Sequence, residues 1–389
     1  MKNRWLLPEG IDEILPPQAE QLEVMRRQLL DMYKSWGYEL IMPPFVEFLD
    51  SLLTGTGNDL DLQTFKLTDQ VTGRTMGVRA DMTPQAARID AHSLKREGPV
   101  RLCYMGTVLR TRPETQGGTR SPLQIGAELY GHSGVDSDVE VLQLMLETLK
   151  VAGVKDVHVD LGHVGIFRGL ARQAELNSDQ EAAMFDALQR KALPEINVLL
   201  AEYGVASKIQ DMFKALVELN GDASILQTAR KLLKKGSREV GNALDELINI
   251  QERAQQAVPN TRLYFDLAEL RGYHYHTGVV FAAYVPGLGQ SVAQGGRYDE
   301  IGSVFGRARP ATGFSANLKS LITSSEDQPR NAVFAPVGDD AGLIDTINGL
   351  RAQGVTVIRE LPGQKTDAQA MGCNRIIFQC KNGWEVKNI

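Results

Sequence analysis

Residues 100 to 110 (Val100, Leu102, Tyr104, Val108, Leu109) and 123 to 130 (Leu123, Ile125, Ala127, Leu129) form two strand-patterned apolar runs. The segment that joins them, Thr111 to Pro122, is polar and carries Gly117-Gly118. A long hairpin with a mobile loop is the simplest topology. This stretch and the Gly-rich strands predicted near 279 to 299 flank helical patterns rather than alternating with them. That order predicts an α/β protein of the α+β kind, with a mostly antiparallel sheet backed by helices.

At 389 residues the chain is long enough for about two to three domains of roughly 150 residues each. Its 43% hydrophobic and 23% charged residues allow a sizeable core and argue against disorder. The net charge of −6 speaks against coating nucleic acid or an anionic membrane by charge alone. Cys103, Cys373 and Cys380 are too few and too irregularly spaced for a disulfide framework, a redox pair or a structural zinc site, which fits a reducing cytoplasm. No targeting or membrane-spanning run is visible.

After Pro16-Pro17, Leu22, Met25, Leu29, Met32 and Trp36 recur at helical spacing and Gly37 offers a stop. Tyr38 to Met42 then reads as a strand closed by Pro43-Pro44. Ser137 and Glu140 have capping-box spacing ahead of Val139, Leu142, Leu146 and Leu149, a second helix that Gly153 ends, and strand Val157 to Leu161 follows. Residues 165 to 257 are helical in pattern almost throughout, as a helical insertion would be. Their basic cluster, Arg230, Lys231, Lys234, Lys235 and Arg238, reads as a solvated helix face. A polar stretch at 324 to 331 reads as a linker. Beyond it, strands at 332 to 337, 355 to 358 and 375 to 379 and a helix with Leu343, Ile344, Ile347 and Leu350 predict a small α/β module.

The chemistry-bearing motifs are few. Arg110 at a strand end and Arg120 on the loop have the donors to grip a phosphate or carboxylate. In Arg79-Ala80-Asp81-Met82-Thr83-Pro84, Asp81 and Thr83 either share one side of an extended segment, facing a substrate ammonium, or cap a helix that begins there. Gln124 and Glu128 share a face of their strand, and an inward Glu among apolar residues needs a partner. The glycines of Leu270 to Gly278 and of Gly295-Gly296-Arg297-Tyr298-Asp299 let backbone approach a ligand. His274 and His276 alternate in the first of these, and His158 and His163 lack partner ligands, so no metal and no cofactor is assigned.

The order of these pieces resembles the catalytic core of class II histidyl-tRNA synthetases. They run from the first helix through Pro44, Arg79 to Pro84, the Arg110 to Gly131 hairpin and Arg271 to Phe281, to Gly295 to Asp299 and Gly313 to Leu321. The resemblance covers most of the chain. It implies a class II aminoacyl-tRNA synthetase-like core over residues 1–323, with its helical insertion at about 165–257, and a truncated anticodon-binding-like module over 331–389. By residue-by-residue match it also implies a histidine-binding site of Asp81, Thr83, Arg110, Gln124, Glu128, Arg271, Tyr275 and His276. There Asp81 stands for a Glu, His276 stands for a tyrosine, and Glu128 would pair with the imidazole N–H.

The departures fall on the nucleotide side. Pro122 stands where the family stacks a Phe on adenine, Arg112 replaces an acidic residue, and Gly118 replaces a loop arginine. Asn317, Lys319 and Ser320 replace a glycine, an acid and the arginine that clamps the terminal phosphate. A core that keeps the amino-acid pocket and loses the ATP clamp looks like the regulatory paralogue that serves ATP phosphoribosyltransferase in the first step of histidine biosynthesis. That likeness implies no catalysis by this chain and activation of a short catalytic subunit. It further implies L-histidine as feedback effector, a homodimer through residues 37 to 48, a hetero-octamer of four plus four chains, no nucleic-acid or membrane partner, and a cytoplasmic location. The alternatives are a divergent histidyl-tRNA synthetase and a tRNA or histidine sensor.

Overall fold

The computed structural model describes residues 5–54, 58–114, 118–273, 275–322, 332–364, 367–381 and 383–389. The Gly117 of the hairpin loop, His274 and the linker expected at 324 to 331 lie outside them. Contacts divide the chain into two compact units, Met1–Ser325 and Glu326–Ile389.

In the first unit the Gln18–Ser35 helix buries Met25, Leu29 and Tyr33, with Leu22, Met32 and Trp36 packed at its margins, so the predicted stripe is the buried one. Gly37 takes a left-handed φ of +81°, which ends the helix at little steric cost. The predicted hairpin is also present. Val100–Thr107 and Leu123–Tyr130 pair antiparallel from Val100↔Tyr130 to Thr107↔Leu123.

The hairpin lies within a nine-stranded sheet. Outward from Leu123–Tyr130 on one side come Val100–Thr107 and the edge strand Glu39–Leu40. On the other side come Ala311–Asn317, Ala293–Arg297, Val279–Tyr284, His158–His163, Arg262–Asp266 and Asn220–Gly221. The pairs Glu39–Leu40 with Val100–Thr107 and His158–His163 with Arg262–Asp266 are parallel, and the others are antiparallel. A separate three-stranded sheet joins Val46–Phe48, Thr75–Val78 and Phe65–Thr68.

One local expectation is corrected and one is refined. The helix Val135–Val151 starts ahead of Ser137, with Gly134 at its N-cap. Ser137 lies in the first turn, where its hydroxyl donates back to Gly134 O (2.7 Å), and Asp136 and Asp138 supply the negative charge the helix start favours. The 165 to 257 stretch is not wholly helical. Its helices, running from Val164–Gln173 to Arg238–Ala257, are interrupted by Asn220–Gly221, which pairs with Asp266 and Phe265 at the sheet edge. In its basic cluster Arg230 meets Asp245, and Lys231, Lys234, Lys235 and Arg238 are exposed.

The second unit has strand order Thr356–Arg359, Ala332–Ala335, Arg375–Cys380, Gly383–Asn388. The helix Ala341–Ala352 covers Val333, Ala335, Val357 and Ile377 with Leu343 and Ile347. The last strand is an addition to the sequence reading. Trp384 and Val386 alternate toward this core, a period-2 signal short enough to pass for a tail.

Candidate functional site

Two neighbouring strands, Ala293–Arg297 and Ala311–Asn317, open a cavity of about 430 Å³ beside the Glu128 strand by carrying glycine where a side chain would fill it. Gly313 faces Glu128 across one strand pair and Gly296 across the next. A Cβ on Gly313 would stand 1.5 Å from Glu128 Oε2, and one on Gly295 would stand 2.1 Å from Gly313 O. The cavity floor is therefore backbone, with Glu128 set into it.

Glu128 is 1% exposed. Tyr104 donates to its Oε1 at 2.8 Å, and Tyr298 donates to its Oε2. Burial drives its pKa up to about 8, against the pull of these hydroxyls, and the nearby Asp81 charge pushes the same way. The carboxyl thus stays protonated at neutral pH while the cavity is empty. Thr83 joins the network through a 2.9 Å hydrogen bond between its Oγ1 and the Tyr104 hydroxyl.

Asp81 and Thr83 both line the cavity, but the extended geometry considered for them is replaced by a turn into the Thr83–Arg88 helix. Thr83 N donates to Asp81 Oδ1 at 2.9 Å, and Pro84, lacking an N–H, suits the first turn. Gln124 stands behind Asp81 and fixes it from both ends. Its Nε2 donates to Asp81 Oδ1 (2.8 Å) and its Oε1 accepts from Met82 N (2.9 Å).

The opposite wall is the turn Arg271 to His276. Gly272 adopts a left-handed φ of +64°, and a Cβ there would meet His276 Nδ1 at 2.4 Å. Burial pushes the His276 ring down to about 4, so it is neutral. Its Nδ1 and the Tyr275 hydroxyl are buried without a hydrogen-bond partner among the described residues, and both residues line the cavity. Tyr275 also stacks on Tyr298, with ring centroids 5.1 Å apart.

Of the eight residues expected, Asp81, Thr83, Glu128, Arg271, Tyr275 and His276 line one cavity. Gln124 supports it from behind, and Arg110 is turned elsewhere, with Nε donating to Ala80 O (3.2 Å) and Nη1 paired with Glu114. Arg271 is also engaged, donating to the Tyr284 hydroxyl (2.6 Å) with Glu269 at 3.5 Å. Sequence reasoning missed Glu269, Gln294, Ser315 and the two tyrosines on Glu128. Tyr298 and Ser315 stood within stretches already singled out, Gly295 to Asp299 and Gly313 to Leu321.

With the Glu128 carboxyl protonated and His276 uncharged, Asp81 and Glu269 still outnumber the Arg271 cation in the lining. A ligand with a cationic end, such as a zwitterionic amino acid, complements this wall better than a polyphosphate does.

Of the residues that depart from the synthetase pattern, Asn317, Lys319 and Ser320 are held by local hydrogen bonds. Asn317 accepts from Leu123 N (3.2 Å) and Lys319 N (3.2 Å) and donates to Ser320 Oγ (2.8 Å). Lys319 donates to Ser121 Oγ at 3.2 Å, and burial lowers its pKa. Arg120 is held by Gly10 O through its backbone N (2.6 Å), and its guanidinium lies over the Phe65 ring at 5.2 Å.

Among the described residues no cluster of His, Cys, Asp and Glu is arranged to hold a metal, and no helix is long and apolar enough to cross a membrane. His163 has a structural place. Its Nδ1 accepts from Gly165 N (3.1 Å) as a helix cap, which leaves Nε2 to donate to Glu246 (2.9 Å).

Comparison with known proteins gives the family and the fold. Residues 10–321 match the family model described as histidyl-tRNA synthetase. Residues 330–387 match the model described as ATP phosphoribosyltransferase subunit HisZ C-terminal domain. The ATP phosphoribosyltransferase regulatory subunit of Thioalkalivibrio sulfidiphilus is 60% identical over 100% of this chain and 99% of its own length. The chain belongs to the family of ATP phosphoribosyltransferase regulatory subunits. The protein of the same name from Alkalilimnicola ehrlichii is 56% identical over 98% of this chain and 96% of its own. Among solved structures, an ATP phosphoribosyltransferase regulatory subunit/histidyl-tRNA synthetase from Bacillus halodurans C superposes with a TM-score of 0.84 at 29% identity, covering 95% of this chain and 96% of that one. The histidyl-tRNA synthetase of Nostoc sp. PCC 7120 shares the fold, with a TM-score of 0.79 at 20% identity over 96% of this chain and 91% of that one.

Proposed function

We propose that this chain is the non-catalytic regulatory subunit of an ATP phosphoribosyltransferase, that it activates a short catalytic subunit, and that its cavity binds L-histidine as feedback effector. The observation that carries the reading is a contrast within one core. Six of the residues that the resemblance assigns to histidine line one cavity, whereas at positions that the resemblance assigns to the ATP side Asn317 donates to Ser320 and Lys319 to Ser121. The names of the relatives support the regulatory part of the reading.

In the bound state the histidine ammonium meets Asp81 and the imidazole pairs with Glu128, giving the buried carboxyl a charged partner. Tyr275 and His276 offer further hydrogen-bonding groups to the ring. Histidine then favours the less active state of the complex, with a coupling of about 1 to 3 kcal/mol between the two sites. The assembly we propose is a homodimer through residues 37 to 48, within a cytoplasmic octamer of four regulatory and four catalytic chains.

The test combines purified chain, catalytic subunit, ATP and phosphoribosyl pyrophosphate. The reading expects turnover to rise on adding this chain, to fall with histidine, and to escape histidine when Asp81 and Glu128 are both Ala in an intact complex. Full inhibition of that double variant would place the sensor elsewhere, and histidine-dependent pyrophosphate exchange by the chain alone would make it a synthetase.

A further inference from the structure

We propose that Arg79 is a positioning residue that, with Gln85, links the state of the cavity to the exposed strip of Leu40, Met42 and Phe45. This rests on the cavity taking histidine and on the strip being the dimer surface, as above, and adds the physical route between them.

The strip is apolar and open. Leu40, Met42 and Phe45 are 43%, 82% and 44% exposed, and the Glu39–Leu40 strand pairs on one side only. Between them Ile41 points inward, packing against the cluster of Met82, Ala86 and Tyr104 and against the one that contains Tyr298. Tyr104 and Tyr298 are the two residues that hold Glu128. A ligand that draws Glu128 toward itself therefore moves the wall on which Ile41 rests.

Arg79 makes the second connection. It lies two residues before Asp81 and is 8% exposed, yet among the described residues no carboxylate stands within ion-pair distance of it. Its guanidinium is spent on backbone, with Nη1 donating to Pro43 O (2.8 Å) and Nε to Thr107 O (3.0 Å), while Phe45 lies beneath it at 5.4 Å. A Cβ on Gly106 would stand 2.4 Å from Nη2, so the hairpin strand leaves room for this one side chain. Gln85, on the Thr83–Arg88 helix, adds bonds to Pro44 O (2.9 Å) and Glu47 (2.6 Å). A buried charge that is hydrogen-bonded only to carbonyls among the described residues, with Glu47 attracting it from beyond ion-pair distance, is a poor way to fill space, since an apolar side chain of similar length would pack without the desolvation penalty. What Arg79 supplies is a rigid join of three segments: the residues leading to Asp81, the hairpin, and the strand end under the strip.

Hydrogen–deuterium exchange of the full chain with and without saturating L-histidine tests this, with calorimetry on the same samples. In the parent, histidine should slow exchange across residues 41 to 48 by about tenfold, a typical coupling. In Arg79→Met the slowing there should shrink to about twofold or less, although histidine still binds and still protects residues 82 to 88. Arg79→Lys, which returns one donor for Pro43, should recover part of it. A role confined to stability would raise exchange equally with and without histidine. Gln85→Met should act in the same direction and decides the matter if Arg79→Met does not fold. The linkage is overturned if these variants keep the parent's protection at 41 to 48, or if the parent binds histidine with no change there. A parent that shows no histidine heat overturns the reading of the cavity, and the linkage with it.

Discussion

Gly313 and Glu128 face each other across adjacent strands so closely that a single methyl on the glycine would overlap the carboxylate, at 1.5 Å from Oε2. Gly313→Ala should therefore displace Glu128 from the tyrosine hydroxyls. We expect histidine affinity to fall at least about tenfold and stability to fall by about 1 to 3 kcal/mol, the usual cost of overpacking. Calorimetry and urea denaturation of this variant measure both.

Glu128→Ala removes the group that receives the imidazole. The N–H is then left unpaired, at a cost of about 1 to 3 kcal/mol, or roughly tenfold to a hundredfold in affinity. Titration calorimetry that finds the variant binding histidine as tightly as the parent would put the pocket elsewhere.

The raised pKa of Glu128 predicts a pH dependence of the empty protein. The unfolded chain releases this proton near 4.5 and the folded one near 8, so the native state binds more protons between those limits. The contribution is fully present below the lower value and is lost as pH rises through the upper one. Stability of the empty protein should fall across this window, and Glu128→Gln, which cannot ionise, should flatten the decline. Denaturation midpoints of both proteins across the window provide the comparison.

Binding should carry its own proton signature. Between the imidazole value of about 6.5 and the carboxyl value of about 8, free histidine is neutral and the empty carboxyl is protonated. Forming an imidazolium–carboxylate pair then moves a proton within the site and exchanges none with solvent. Above that window one proton must be taken up, and below it one must be released, so affinity should peak inside it. Calorimetry in buffers of different ionisation enthalpy reads the proton count directly.

Arg297 and Asp138 are the buried ion pair most central to the sheet, 2.9 Å apart with side chains 6% and 5% exposed. Arg297→Met takes away the cation that offsets the burial of Asp138, whose carboxyl must then stay charged without it or take up a proton, which should cost about 3 to 5 kcal/mol. Asp138→Asn with Arg297→Met should recover part of that loss, because no uncompensated charge remains. Thermal unfolding of the single and double variants checks this.

Much of the core was legible because its signals are local. The stripe Leu22, Met25, Leu29, Met32, Trp36 and the strand-patterned runs 100 to 110 and 123 to 130 follow directly from helical and strand periods, Tyr33 joins the buried face beside that stripe, and Gly37 ends its helix as a glycine should. Ser137 with Glu140 misled, because capping-box spacing says nothing about the Gly134 that starts the helix sooner. The strand Asn220–Gly221 was illegible for another reason. Two residues carry no period, and it exists only because the sheet edge at Phe265 and Asp266 accepts it.

For the site, residue order alone carried the family resemblance that groups Asp81, Thr83, Arg110, Gln124, Glu128, Arg271, Tyr275 and His276. What each group is free to do follows from the folded surroundings. The tertiary structure turned Arg110 toward Glu114, tied Arg271 to Tyr284, placed Gln124 behind Asp81, and set Tyr104 and Tyr298 on Glu128 from either side. The physical reason is that charge state and hydrogen-bond availability depend on burial and on partners remote in sequence, such as Tyr298 acting across 170 residues on Glu128.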